Sequence, residues 1–340
     1  MTFFVRPARE EDLEALYEMA KLTGGGFTNL PPDRPALADK LARSAAAFAR
    51  EADDHHDDLY LLVLENGETG QVRGTAQLLS MIGQRWPFYS YRRGSYTKHS
   101  RELGRTFRAE TLNLVTDLEG SSEVGGLFLH PRERAGGLGL LLARSRYLFI
   151  AAHRARFGDR LIAELRGVID EAGGSPFWDG LAGRFFGMGF QEADEFNAIH
   201  GNQFIADLMP KHPIYIAMLS DHARAVIGMP HPNGRAAMRM LEVEGFAHDG
   251  YVDIFDGGPT MAAATDRVKT IAGRRVARLA RGGAEGRTQA IAAAGRLAGF
   301  RASYARLAET AHRAEMAMAG AEADALGLVP GDAFCWVPRL

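Results

Sequence analysis

The sequence predicts an α/β (α+β) chain in which a mixed, mostly antiparallel sheet is flanked by helices, with an additional helical segment and a small C-terminal β-containing unit. Three observations predict it. A hairpin signal comes early, where residues 59–65 and 73–82 flank a turn through Asn66-Gly67 and Thr69-Gly70. A strand, a basic glycine-containing turn and a helix follow one another between residues 120 and 157. Strands and helices also alternate along most of the chain, which alone would suggest a parallel sheet; the hairpin makes it mixed.

Residues 3–6 read as a short strand ended by Pro7. An amphipathic helix follows over 11–21, with Leu13, Leu16, Tyr17 and Ala20 on one face. Three glycines and two prolines make 23–33 a loop, and the alanine- and leucine-rich stretch 34–49 is a second helix. Residues 51–58 are acidic and contain histidine; 86–93 are aromatic and basic, and polar segments follow them. Residues 120–129 form a buried strand weakened by Gly125 and Gly126, a pair that signals a bulge or a close backbone approach. The turn 130–137 opens a helix over 138–157, and 160–170 reads as a strand. Ser175 and Pro176 start a helix to Phe186, as N-cap and first helical residue. Residues 202–228 are helical turns broken at Pro210 and Pro213. The helix 235–244 is stopped by Gly245, and 251–255 is a short strand. From 261 to 298 the alanine-, arginine- and glycine-rich sequence reads as a helix plus a flexible linker, and 301–340 as a small unit closed by a strand at 334–337. The implied organisation is a core over 1–200, an extension over 201–262 that completes the active site, a linker or helix over 263–298, and a terminal unit over 299–340.

With 40 basic and 42 acidic side chains the formal charge is −2, which argues against a nucleic-acid binder that works by counterion release. No run approaches the ~20 apolar residues that span a bilayer, so no membrane partner is expected. The N-terminal segment is acidic too early for a signal or transit peptide. A single cysteine, Cys335, excludes an intrachain disulfide and a cysteine-rich metal site; no metal is expected, and a reducing cytoplasm is the expected compartment.

The strongest chemical signal is the strand-to-helix turn that holds Arg132, Arg134, Gly136, Gly137 and Gly139. A diphosphate needs several peptide N–H groups converging from a turn and a helix N-terminus, which glycines permit, and nearby cations add charge-assisted contacts. Arg134-x-x-Gly137-x-Gly139 resembles the R/Q-x-x-G-x-G/A pattern of GNAT-type acyltransferases, so the sheet is expected to be GNAT-like. The alternative is a plain strand–helix turn whose glycines serve packing.

The chain further resembles the arginine N-succinyltransferase family over most of its length. The segments that carry the likeness are Lys21-Leu-Thr-Gly-Gly-Gly-Phe-Thr-Asn-Leu-Pro31, Gly120-Ser-Ser-Glu123, Ala163-Glu-Leu-Arg-Gly-Val-Ile-Asp-Glu-Ala-Gly173, Ser175-Pro-Phe-Trp178, Phe185-Phe186, Leu208-Met-Pro-Lys-His-Pro-Ile-Tyr215, Val226-Ile-Gly228 with His231-Pro232, Leu241-Glu-x-Glu-Gly-Phe246, and Asp253-Ile-Phe-Asp-Gly-Gly-Pro-Thr260. The resemblance implies transfer of succinyl from succinyl-CoA to the α-amino group of L-arginine, as the first step of a cytoplasmic arginine-catabolic pathway that releases ammonia. Related subunits form hetero-oligomers, and some accept ornithine, so a homo- or hetero-oligomer is expected. The family's proton-donor histidine matches His231, and its succinyl-CoA contact matches Leu127.

Transfer from a thioester needs a neutral amine, a stabilised oxyanion and a proton for the departing thiolate. The N–H groups over residues 125–127 are the natural oxyanion donors. Taken by spacing, His231 is a loop or capping histidine; the resemblance makes it the general acid. Glu123 is the rival acid/base, four residues before Leu127 and by alternation on the same face, or else a paired carboxylate at a strand start. For the guanidinium of the acceptor the candidates are Asp170, Glu171, Asp253 and Asp256, each alternatively a turn residue. For the succinyl carboxylate they are Arg166, Arg92, Lys211 and His212, each alternatively in a surface ion pair. The glycine loop from Thr23 to Leu30 is a candidate cover for the substrate, or equally a long connection between helices. Two other functions remain open: N-acylation of a different amine or from a different acyl-CoA, and a non-catalytic CoA-binding subunit.

Overall fold

The computed structural model describes residues 2–23, 29–134, 136–283, 286–312 and 314–339, so most of the glycine loop and Ala135 of the turn lie outside the described residues. In chain order the elements are β1 Phe3–Pro7, α1 Leu13–Lys21, α2 Arg34–Ala49, β2 Leu59–Asn66, β3 Val72–Leu79, β4 Ser90–Ser100, β5 Arg105–Val115, β6 Ser122–Leu129 and α3 Leu138–Ala152. There follow β7 Arg160–Glu164, α4 Pro176–Gly180, α5 Gly183–Phe186, α6 Phe190–His200, α7 Gln203–Leu208, β8 Ile214–Tyr215, α8 Asp221–Val226, α9 Arg235–Glu244, β9 Ala247–Val252 and β10 Pro259–Ala264. The last are α10 Lys269–Ala272, β11 Arg275–Leu279, β12 Thr288–Ala294, β13 Arg301–Glu309, β14 Glu315–Ala317, α11 Gly320–Leu326 and β15 Ala333–Pro338. The chain forms two compact units, one from 1–81, 122–159 and 264–340, the other from 82–121 and 160–263. These units do not follow the consecutive division at 200, 262 and 298 that the sequence suggested, because antiparallel pairing joins segments far apart in the chain.

In the first unit β1, β2, β3 and β6 form a meander, the mixed, mostly antiparallel GNAT-like sheet that the sequence predicts. Leu16 of α1 and Leu37 and Leu41 of α2 share a core with Leu61, Val63 and Phe128. Gly74 lies against Leu142 of α3, and Leu142 is fully buried. Most of α3 is buried, arginines included, so its periodicity reads weakly as amphipathic. On the other side of β1 comes β13, and five strands close on themselves in the order β12-β15-β11-β14-β13, with β12 pairing back to β13. Among the described residues, the alanine-rich segment 263–298 holds only the short α-helix α10 and is otherwise built on strands, β11 and β12, rather than on a helix and linker. Alanine favours helices, but Ala290, Ala292 and Ala294 alternate into the core of this unit, where they pack beside larger side chains such as Leu307, Phe334 and Trp336.

In the second unit the strand order is β7-β10-β9-β4-β5-β8. Its core collects Tyr91, Leu112, Phe177, Trp178, Ile205 and Phe255, and Trp178 is stacked between Phe186 and Phe255 at 5.7 and 5.5 Å. The hairpin β4–β5 was read only as aromatic and polar stretches: its outer half is exposed, so no buried face imposes alternation. The strand expected over 160–170 stops at Glu164, and the helix expected from Pro176 to Phe186 is two short pieces, α4 and α5.

The acidic stretch 51–58 has a structural use. The fully buried Arg156 donates to Asp53 at 2.8 Å, to the Tyr60 hydroxyl at 3.0 Å and to the Arg50 carbonyl at 2.6 Å, while Tyr60 donates to Asp58 at 2.9 Å. Asp53 is partly exposed and also paired with Arg296 at 2.6 Å, so removing Arg156 chiefly leaves the buried Tyr60 hydroxyl and the Arg50 carbonyl without their donor and a space where the side chain packed. Arg156→Ala is expected to lower the unfolding free energy by ~2–4 kcal/mol, read from the denaturant midpoint; a loss below ~1 kcal/mol, as for a surface pair, would contradict this account.

Candidate active site

In the first unit the site is built around β6. Its ladder with β3 pairs Phe128 with Thr75 and Gly125 with Gln77, so Gly126 and Leu127 together oppose a single residue, Ala76. This is a bulge, a feature that leaves the extra residue out of the ladder pairing. Gly126 sits at φ +57°, where a Cβ would also lie 2.9 Å from the Gln77 side chain. The extra residue corrects one expectation: Glu123 and Leu127 do not share a face, because a bulge between them reverses the alternation. Arg146 of α3 donates to the Gly125 carbonyl at 3.2 Å and fixes the bulge from behind.

Glu123 is buried on the Gly125 side, near Asn29 and Gln77, whose side chains hydrogen-bond each other. Lys40 of α2 joins them, donating to the Asn29 carbonyl at 2.7 Å. Burial pushes the Glu123 carboxyl up to about 7, opposed by the Lys40 ammonium, and burial pushes Lys40 down to about 8. Lys40, Asn29, Gln77 and Arg146 were missed by sequence reasoning, which had no pattern linking α2 and β3 to β6. The Asn29 in the quoted glycine motif was the one available hint.

After β6, His130 caps a single turn through Pro131, Arg132 and Glu133, accepting from the Arg132 N–H at 3.2 Å. Arg132 and Arg134 are exposed. Gly136 and Gly137 then take φ of +76° and +82°, and Gly137 caps α3, on which Gly139 stands in the first turn. The turn is thus a strand-to-helix connection with two consecutive positive-φ glycines, ending at the N-terminus of α3, whose first N–H groups have no intrahelical partner.

In the second unit the backbone brings Arg166, His231, Asp253 and Asp256 together. The His231 N–H donates to the Arg166 carbonyl at 2.7 Å, and the Gly167 N–H donates to Asp256 at 2.7 Å. Asp256 accepts from Gly258 at 2.8 Å as well, while Asp253 accepts from Phe255 and Asp256 at 2.7 and 2.8 Å. Both aspartates are therefore turn-building carboxylates first, and burial raises each, Asp256 further through the charge of Asp253. Asp194 on α6, absent from the sequence candidates, is pushed up to about 6 by burial and then by Asp253, with Arg166 opposing. Asp170 is not at a strand end; it is exposed in a turn and accepts from Ala172 and Gly174 at 2.9 and 2.8 Å, and Glu171 is exposed beside it. Arg92 is paired with Asp117 at 3.3 Å, and Lys211 and His212 are exposed.

His231 caps the turn before α9: its Nδ1 accepts from the Asn233 N–H at 3.2 Å, so the neutral ring carries its proton on Nε2. Desolvation, and then the Arg166 charge, lowers its pKa. The cap uses the neutral ring, whereas proton donation uses the imidazolium, whose protonated Nδ1 releases the Asn233 N–H; the lowered pKa favours the capping form. Among the described residues no helix is long and apolar enough to cross a membrane.

The Glu123 shift has a stability consequence. A carboxyl whose folded pKa lies above its ordinary value loses stabilisation as pH rises from about 4.5 toward about 7. Glu123→Gln is therefore expected to raise the melting temperature at pH 8 relative to wild type by more than at pH 5; equal shifts at both would show that the carboxyl is not strained by burial.

Comparison with known proteins adds the family evidence. A family profile described as arginine N-succinyltransferase beta subunit matches residues 3–270, and one described as its C-terminal domain matches 274–338, the segment of the five-stranded ring. The arginine N-succinyltransferase subunit beta of Pseudomonas aeruginosa is 47% identical over 268 residues, 79% of this chain and 78% of that one. The arginine N-succinyltransferase of Salmonella paratyphi B is 44% identical over 278 residues, 82% and 80% of the two chains. The solved structure of arginine/ornithine succinyltransferase subunit AI from Pseudomonas aeruginosa superposes with a TM-score of 0.90 at 32% identity, covering 99% of this chain and 98% of that one.

Proposed function

The chain belongs to the arginine N-succinyltransferase family, and on that premise we propose that it transfers succinyl from succinyl-CoA to the α-amino group of L-arginine. The observation that carries the reading is the family match across residues 3–270, over a chain that keeps the bulged strand, the glycine turn and His231. The enzyme is an acyltransferase that draws on a CoA thioester.

The amine nitrogen attacks the thioester carbonyl, the C–N bond forms, and the C–S bond breaks. Glu123, ionised in part at neutral pH, takes the proton the ammonium must lose. The N–H groups of the β6 bulge receive the oxyanion. His231, in its imidazolium form, supplies a proton to the leaving sulfur and returns to the neutral ring that caps the turn. Leu127 contributes its backbone, so its side chain matters less than the bulge. For the acceptor, the guanidinium is assigned to Asp194, a largely buried carboxylate pushed up by that burial and by the charge of Asp253, with Arg166 opposing. Asp170 and Glu171 play no part in this reading.

The test is a thiol-release assay with succinyl-CoA over a panel of amino acids, with the product identified by mass. Succinylarginine formed by the purified chain alone supports the proposal. Succinylornithine as the main product would move the acceptor, a reading favoured by the name of the solved relative. CoA binding without turnover would make the chain a non-catalytic subunit. His231→Ala is expected to lower kcat by ~100-fold or more with little change in CoA affinity; unaltered turnover would remove His231 from the mechanism. Asp194→Asn is expected to raise KM for arginine by ~10-fold or more through loss of a charge-assisted contact, and an unmoved KM would relocate the guanidinium site.

A further inference from the structure

We propose that Tyr304 and Arg339, both from the C-terminal five-stranded ring, are positioning residues for the diphosphate of the acyl-CoA: they hold the carbonyls of the glycine turn against the ring, so that the turn's N–H groups face the ligand. The inference rests on the acyl-CoA reading above and gives the ring a part in the reaction.

The contacts are direct. Tyr304 Oη donates to the Gly137 carbonyl at 2.6 Å, and Arg339 Nη2 donates to the Gly136 carbonyl at 2.9 Å. A trans peptide points its C=O and the following N–H in opposite directions. Tying back the carbonyls of Gly136 and Gly137 therefore turns out the N–H groups of Gly137 and Leu138. The Gly137 carbonyl also accepts from Leu140 and Leu141 at 2.9 and 3.2 Å, so it begins the α3 ladder and its own N–H partner lies outside the helix. The fit is close: a Cβ at Gly137 would sit 2.7 Å from Arg339 Nη2 and 3.1 Å from Tyr304 Oη.

Both side chains come from a stiff support. Tyr304 stands on β13, paired with Ile291 of β12. The Arg339 N–H donates to the Gln289 carbonyl at 2.8 Å, which carries the β15–β12 ladder one residue past the strand. The guanidinium lies over the Tyr304 ring at 4.1 Å. Among the described residues Arg339 has no carboxylate partner, so its charge is left to add to the positive field at the turn. Burial raises the Tyr304 pKa, which keeps its hydroxyl a donor.

The experiment compares two thioesters on the full chain: succinyl-CoA, and succinyl-pantetheine, which keeps the reacting group but lacks the diphosphate. The readout is the ratio of kcat/KM for the two, in wild type and in Tyr304→Phe, Arg339→Met and Arg339→Lys. Loss of one charge-assisted hydrogen bond corresponds to ~10-fold, so the ratio is expected to fall by about that factor in Arg339→Met, by somewhat less in Tyr304→Phe, and to recover in part in Arg339→Lys. A ratio that stays at the wild-type value in both Tyr304→Phe and Arg339→Met overturns the inference, as does an equal loss on both thioesters. A wild type that does not prefer succinyl-CoA sinks the diphosphate reading itself and the inference with it. Tyr304→Phe removes one oxygen and keeps the ring, and calorimetric titration with CoA gives the same comparison for any variant too slow to assay.

Discussion

The ladder between β3 and β6 carries one residue too many on β6, and much of the chemistry depends on that excess. A regular strand would commit every N–H to its neighbours. The bulge releases some, bends the strand, and reverses which side of the sheet each later side chain meets. Glu123, before the bulge, lies on the side of α2 and Lys40, while the chain beyond the bulge runs on into the glycine turn and α3. Arg146 holds the Gly125 carbonyl so that the irregularity is fixed rather than averaged away.

Carboxylates in the two units are used in contrasting ways. Asp53 is pulled down to about 2 by Arg156 and Arg296 and serves as a strut. Glu123 and Asp194 are instead raised, by burial without a full set of donors. Asp253 and Asp256 are raised as well, yet both are engaged by peptide N–H groups, Asp256 through Gly167 and Gly258 and Asp253 Oδ1 through Phe255 and Asp256, so burial alone does not mark an acid for catalysis.

Much of this was legible in the sequence. The helix over Arg34–Ala49, the helix Arg235–Glu244 with its glycine stop, and the strand with a glycine interruption all follow from local rules that the tertiary structure did not override. The alanine-rich segment reads as helix because propensity registers only alanine's ease in a helix, whereas here pairing of β12 with β13 and β15 and burial beside Leu307 and Trp336 override it. The outer part of β4–β5 was invisible because a ribbon exposed on both faces has no periodic apolar side. For the site, His231 and the glycine turn announced themselves by motif. Lys40, Asp194, Tyr304 and Arg339 did not, since each acquires its meaning only from a partner far away in the chain.

The pairing of β1 with β13 sets Val5 beside Ala302. An N-terminal strand in this position emerges from the ribosome almost three hundred residues before its outer neighbour exists, with one row of backbone donors and acceptors unmatched throughout. During synthesis the half-built sheet therefore carries an open flank along β1, the kind of edge on which nascent chains stick to one another. Shelter for that flank, by a chaperone or by rapid completion of the chain, is a condition of this architecture.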